Sequence, residues 1–144
     1  MIPKTIHEIA IGDGASFAKT ISETDIYLYA GITGDFNPAH IDECYASQTV
    51  FKSRIAHGML TAGLISAILG TRFPGPGTIY IRQELSFLAP VRIGDTITAS
   101  VEVIETHPDK NRIRLKTLCK NQEGIIVLDG EALVSPPKIS KKSF

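Results

Sequence analysis

The sequence predicts one α+β domain, an antiparallel sheet curled around a single long helix. Three observations point there. The chain has 144 residues, which suits one sizeable core. The stretch from Ala56 to Gly70 carries no charged side chain and has the length of a buried helix. After Gly77 the apolar period changes from helical to two and keeps that value to the end, as strands require.

Taken in order, Met1 to Ile11 leads in and Gly12-Asp13-Gly14 turns the chain. Ala15 to Ile21 alternates as a first strand with Phe17 inward. Ser22-Glu23-Thr24-Asp25 has the spacing of a helix start, with acidic residues in the first turn. Ile26, Tyr29, Ala30 and Thr33 follow at helical spacing, and the helix ends near Gly34. Asp42 to Ala46 adds a turn or two of helix, and Gln48 to Ile55 is a loop. The long helix carries Met59, Leu60, Leu64, Ile65, Ile68 and Leu69 with small residues between, a pattern that predicts burial on most faces. Gly75-Pro76-Gly77 closes a loop. Four strands follow, at Thr78–Leu88, Thr96–Glu105, Arg112–Lys120 and Ile125–Val134, expected in meander order. Pro136-Pro137 ends the fold, and residues 138–144 read as a basic, frayed tail of the single domain 1–144.

Charge is balanced, with 15 acidic and 15 basic residues, so no bulk field favours nucleic acid or an anionic membrane. An anionic ligand would need a local cluster, for which Arg72, Arg82 and Arg92 are candidates; solvated surface positions are the simpler reading of each. Cys44 and Cys119 stand far apart, fit no metal spacing and read as free thiols of a reducing compartment. Met59 to Leu69 is too short to span a bilayer, and the N-terminus lacks the basic-then-apolar pattern of a secretory signal. A cytoplasmic protein is the expectation.

Chemistry concentrates in Gly34-Asp35-Phe36-Asn37-Pro38-Ala39-His40. On a continuous helix Asp35 and His40 would stand roughly 140° apart. Pro38 pushes Asn37 out of the α region, so the pair reads as a turn that can bring carboxylate and imidazole into one pocket. There they could share acid and base work on one water; alternatively the motif is a structural Asx-Pro turn. A calcium loop is excluded twice, since it needs Gly at His40 and Glu at Ala46.

A second stretch, Ile55-Ala56-His57-Gly58-Met59-Leu60, opens the long helix. Gly58 falls in its first turn, where N–H groups lack helical partners and the dipole is positive. Its N–H could bind a carbonyl oxygen that gains charge, or the glycine could serve close packing alone. His57 reads as a supporting or structural residue. Ser66, two turns on, either bonds back to its own helix or reaches toward the Asp35 pocket. His7 and His107 have no companion groups and read as surface residues.

Tyr29-Ala30, the run Gly34 to Asp42 and the run Ile55 to Leu60 together resemble the hydratase-2 motif of the MaoC-like dehydratases and (R)-specific enoyl-CoA hydratases. Leu85 to Val91 and Gly94-Asp95-Thr96-Ile97 resemble that family's strand and turn. The resemblance covers nearly the whole chain and implies one hot-dog unit, as in the short bacterial members. It implies Asp35 and His40 as the catalytic pair, Asn37 as a water-positioning residue, Gly58 N–H as the oxyanion donor and Ser66 as support for the aspartate. The implied reaction is reversible addition of water to a trans-2-enoyl-CoA to give the (3R)-hydroxyacyl-CoA, in fatty acid metabolism or polyhydroxyalkanoate precursor supply. No metal and no redox cofactor are implied, CoA being part of the substrate, and the expected assembly is a homodimer. A hot-dog thioesterase, a 3-hydroxyacyl-ACP dehydratase and a non-catalytic acyl-thioester binding module are the alternatives.

Overall fold

The structure, a computed structural model, describes residues 2–139. Of the expected tail, only Lys138 and Ile139 fall among the described residues. Strand β1 (Gly14–Thr20) leads to helix α1 (Glu23–Thr33), two short helices α2 (Pro38–Ile41) and α3 (Glu43–Ser47), and the long helix α4 (Gly58–Thr71). Strands β2 (Ile79–Phe87), β3 (Thr96–His107), β4 (Arg112–Lys120) and β5 (Ile126–Ser135) complete the chain.

The start of α1 follows its sequence signal. Ser22 Oγ accepts from Asp25 N–H at 3.1 Å, and Ser22 N–H donates to Asp25 Oδ2 at 2.8 Å, so two otherwise orphaned donors are satisfied. Gly34 ends the helix at φ +77°, a left-handed cap that glycine adopts without a Cβ penalty.

All five strands form one antiparallel sheet in the order β1-β3-β4-β5-β2. The expected four-strand meander is therefore corrected: β3, β4 and β5 pair in succession, but β2 lies beyond β5. The reason is that β3 has only two edges. One takes β4 and the other takes β1, so β2 cannot pair with its chain neighbour β3 and joins the outer edge of β5.

The register sets the inner face. Ile113 stands opposite Val134, Leu115 opposite Ala132 and Cys119 opposite Leu128, while Ala99, Val101 and Val103 continue the same rows on β3. These side chains are buried and pack with Leu64, Ile65, Ile68 and Leu69 of α4, so period two and period 3.6 meet in one core. Burial pushes the Cys119 thiol up to about 12. A curved sheet covers one side of a helix, however. Met59, Gly63, Ser66, Ala67 and Gly70 on the far side of α4 are exposed within the chain, a correction to the expected burial on most faces. No described helix is long and apolar enough to cross a membrane.

Candidate active site

The Asn-Pro pair works as a helix start rather than as a plain turn. Asn37 has non-helical dihedrals (φ −52°, ψ 124°), its side chain accepts from Ala39 N–H at 3.0 Å, and Pro38 is the first residue of α2. Proline suits that position because its missing N–H would have had no helical partner. The helical path between Asp35 and His40 is thereby broken where the sequence places its proline. Asp35 Oδ1 accepts from Asn37 N–H at 3.2 Å, which ties the carboxylate to the cap.

His40 is 8% exposed, and its Nδ1–H donates to the Ile55 carbonyl at 2.7 Å. A carbonyl only accepts, so the proton of the neutral ring sits on Nδ1 and the lone pair on Nε2. Burial holds the His40 pKa below its ordinary value, aided by His57; the bond to Ile55 and the Asp35 carboxylate oppose the shift without reversing it. His57 is 2% exposed. Its Nε2–H donates to the Asp35 backbone carbonyl at 2.9 Å, and its ring lies 3.9 Å from that of His40 and 4.6 Å from that of Tyr29, centroid to centroid. His57 thus carries the backbone of Asp35.

Asp35, His40 and His57 offer side-chain ligand atoms within 4.8 Å of one another. The His40 and His57 ring planes are tilted 33° to each other. One nitrogen of each ring is also committed to a carbonyl. The cluster therefore suits proton transfer better than tetrahedral metal ligation.

His57 is the N-cap of α4 and Gly58 its first helical residue, with no side chain capping the turn. The Gly58 N–H thus stands unpartnered at the positive end of the helix. Asp35, His40, His57, Gly58 and Thr61 line one cavity of about 450 Å³, with apolar walls from Phe51, Met59, Phe87, Leu88, Val91, Val127 and Leu128. A Cβ on Gly58 would stand 2.7 Å from two carbons of the Phe87 ring, so a larger residue here would have to displace that half-exposed ring.

Two expected site residues fall elsewhere. Asn37 is exposed and outside the cavity wall, because its carboxamide oxygen is used to cap α2. Ser66 is exposed on the outer side of α4 and does not line the cavity: eight residues beyond Gly58, it is carried round to the face the sheet leaves open. Among the candidate cations, Arg92 bonds Ser53 Oγ, Arg72 lies over Phe17, and none of the three lines the cavity. His7 and His107 are exposed.

Arg54 carries no local sequence signal, yet it clamps the segment that holds His40. Its guanidinium donates to Glu23 Oε1 at 2.6 Å, Tyr27 Oη at 2.8 Å and Glu43 Oε2 at 3.3 Å. It thereby joins α1, α3 and the strand-like segment before α4, one residue from the carbonyl that orients His40. The Glu23 bond raises the Arg54 pKa, and Arg54 holds the Glu23 carboxyl below its usual range.

A five-stranded antiparallel sheet wrapped on a long helix is a hot-dog arrangement, and Asp35 and His40 stand in one cavity with the open N-terminus of that helix. Residues 9–123 match the MaoC like domain, and the chain belongs to the MaoC-like dehydratase family. It is 58% identical over 130 residues to the (R)-specific enoyl-CoA hydratase of Rhodospirillum rubrum, covering 90% of each chain. To the 3-hydroxybutyryl-CoA dehydratase of Methylorubrum extorquens it is 52% identical, over 91% of this chain and 83% of that one. The unliganded R-hydratase of Pseudomonas aeruginosa superposes with a TM-score of 0.90 at 46% identity, covering 96% of this chain and 88% of the other.

Proposed function

We propose that the protein is an (R)-specific enoyl-CoA hydratase, adding water to trans-2-enoyl-CoA and removing it in reverse. The observation that carries this is the meeting of Asp35, the His40 ring and the unpartnered Gly58 N–H in one largely apolar cavity. Neutral His40 presents Nε2 and Asp35 its carboxylate, two acceptors that hold a water by its hydrogens and leave an oxygen lone pair for C3. As the C3–O bond forms, one proton passes to the pair and the pair returns one to C2. The negative charge that builds meanwhile on the thioester oxygen is met by the Gly58 N–H. His57 holds Asp35 in place, and Asn37 shapes the turn that brings the pair together. The chemistry needs neither metal nor redox cofactor, and CoA enters with the substrate. The 3R configuration is taken from the relatives.

The same reading includes a cytoplasmic homodimer. β2 leaves one edge unpaired, exposes Ile79, Ile81 and Phe87, and neighbours the open side of α4; an edge of this kind is normally covered. Light scattering at micromolar concentration should give twice the chain mass, and a single-chain mass would remove the dimer. Incubated with crotonyl-CoA, the protein should deplete the enoyl absorbance, release no free thiol and form the (3R)-hydroxybutyryl thioester. Free CoA appearing in step with the absorbance loss would make it a thioesterase, and tight binding without turnover would make it a binding module.

A further inference from the structure

Among the described residues two buried side-chain atoms have no hydrogen-bond partner in the protein, His57 Nδ1 and Thr61 Oγ1. Both residues are 2% exposed and both line the cavity. His57 is the N-cap and Thr61 stands in the first turn of α4, and both side chains reach the same cavity. Unpaired buried polar atoms are rare, and these two belong to residues of one cavity wall.

Thr61 has an obvious local partner and does not use it. Thr33 and Thr71 each donate to the carbonyl four residues back, Tyr29 O at 2.7 Å and Ala67 O at 2.6 Å. The Thr61 hydroxyl makes no such bond to His57 O. On the other ring nitrogen the chemistry is fixed, because His57 Nε2–H donates to the Asp35 carbonyl. In the neutral ring Nδ1 is therefore an acceptor. What fits between is a small group that donates to Nδ1 and also pairs with a hydroxyl. An acyl chain does neither. A water does both.

We infer that His57 Nδ1 and Thr61 Oγ1 hold an ordered water on the cavity floor, distinct from the reacting water, and that Thr61 is a positioning residue for Asp35. The path is short. The water donates to Nδ1, which keeps the proton of His57 on Nε2, and Nε2–H carries the Asp35 backbone. Without it Nδ1 has no donor, and the Asp35 carbonyl alone is left to hold the proton on Nε2. The consequence for turnover rests on the hydratase reading; the water and the tautomer do not.

Thr61→Val keeps the shape and removes the hydroxyl, and Thr61→Ser keeps the hydroxyl. A high-resolution crystal structure of the wild type should show a water within hydrogen-bond distance of both atoms. The nitrogen-15 spectrum of His57 should show the Nε2–H tautomer with a hydrogen-bonded Nδ1, moved in Thr61→Val toward a free acceptor and restored in Thr61→Ser. With crotonyl-CoA, Thr61→Val should lose about tenfold in kcat at little change in KM, a size in line with modest misplacement of a reacting group, and Thr61→Ser should recover it. If the hydroxyl were merely an unpaired group, replacing it with a methyl would remove a buried cost and raise Tm. A raised Tm with unmoved nitrogen signals would overturn the proposal, as would density placing the Thr61 hydroxyl on His57 O. A wild type inactive on crotonyl-CoA would sink the hydratase reading and leave the water and tautomer tests standing.

Discussion

The two working walls of the cavity are held by different physics. On one, Asp35, His40 and His57 are fixed by hydrogen bonds to main-chain carbonyls, Ile55 O for one ring and Asp35 O for the other. On the other, Gly58 has no hydrogen-bond partner at its N–H, and its position is set by the Phe87 ring packed where a side chain would have been. The first wall is defined by donors and acceptors, the second by space. Isosteric changes should therefore spare the structure of the first while removing its chemistry. The second should fail on size, whatever the polarity of the replacement.

The largest effect is expected on the hydrogen-bonded wall. Asp35→Asn keeps an oxygen for the Asn37 N–H but cannot take a proton. His40→Asn keeps a donor near the Ile55 carbonyl and loses Nε2. Each should lower kcat on crotonyl-CoA by about 10²–10⁴, with Tm little moved for the exposed Asp35. The double variant should lose little more than either single one, because the pair acts as a unit. Acid adds a second readout. The His40 pKa is depressed in the fold by burial, below an unfolded value of about 6.5. The neutral ring therefore contributes stability that is complete above that value and is lost as pH falls through the folded pKa. The acid limb of kcat/KM should accordingly lie below about pH 6.5, and His40→Asn should show a smaller loss of Tm on acidification than wild type. Full activity in either single variant would remove the acid–base assignment.

The same contrast decides what was legible in the sequence. The first wall is local: Asp35, Asn37, Pro38 and His40 lie within six residues, and the proline alone declares a break in helical path. Ser22 and Asp25 announced α1 for the same reason. The second wall joins residues 29 positions apart, Gly58 and Phe87, and no local period reports which strand end will meet which helix end. Strand order failed on the same ground, since alternation marks Thr78–Leu88 as a strand without saying which edge remains for it. Arg54 was invisible because its three partners come from two other helices. Ser66 shows the converse: its spacing from Gly58 was legible, but the side of α4 left open by the sheet was not.

A smaller loss is expected on the packed wall. Gly58→Ala places a Cβ 2.7 Å from the Phe87 ring, so either the ring swings aside or the first turn of α4 shifts. Displacement of the proposed oxyanion donor by about 1 Å costs up to about 10²-fold. Phe87→Ala added to Gly58→Ala opens that space, and the double variant should turn over faster than Gly58→Ala alone. A double variant no faster than the single one would mean that the ring does not set the place of Gly58.

The smallest effect tests whether the hydrogen-bonded wall depends on a support outside the cavity. Arg54→Met keeps the aliphatic stem and removes the side-chain bonds to Glu23, Tyr27 and Glu43, leaving only the residue 54 backbone N–H on Glu43 Oε2. Those carboxylates are about half exposed, so each pair is screened by solvent and the cost in stability should be modest, a Tm lower by a few degrees at most. The effect on chemistry passes through Ile55, whose carbonyl holds His40 one residue away. Release of that segment should lower kcat by about three- to tenfold, less than the full value of a general acid–base group, because the ring keeps its burial and its stack on His57. Lysine cannot replace the fork that reaches three acceptors at once, so Arg54→Lys should resemble Arg54→Met. The decisive measurement is the combination with His40→Asn. If Arg54 acts by orienting His40, its loss should cost nothing further once Nε2 is gone, whereas an independent role would multiply the two losses.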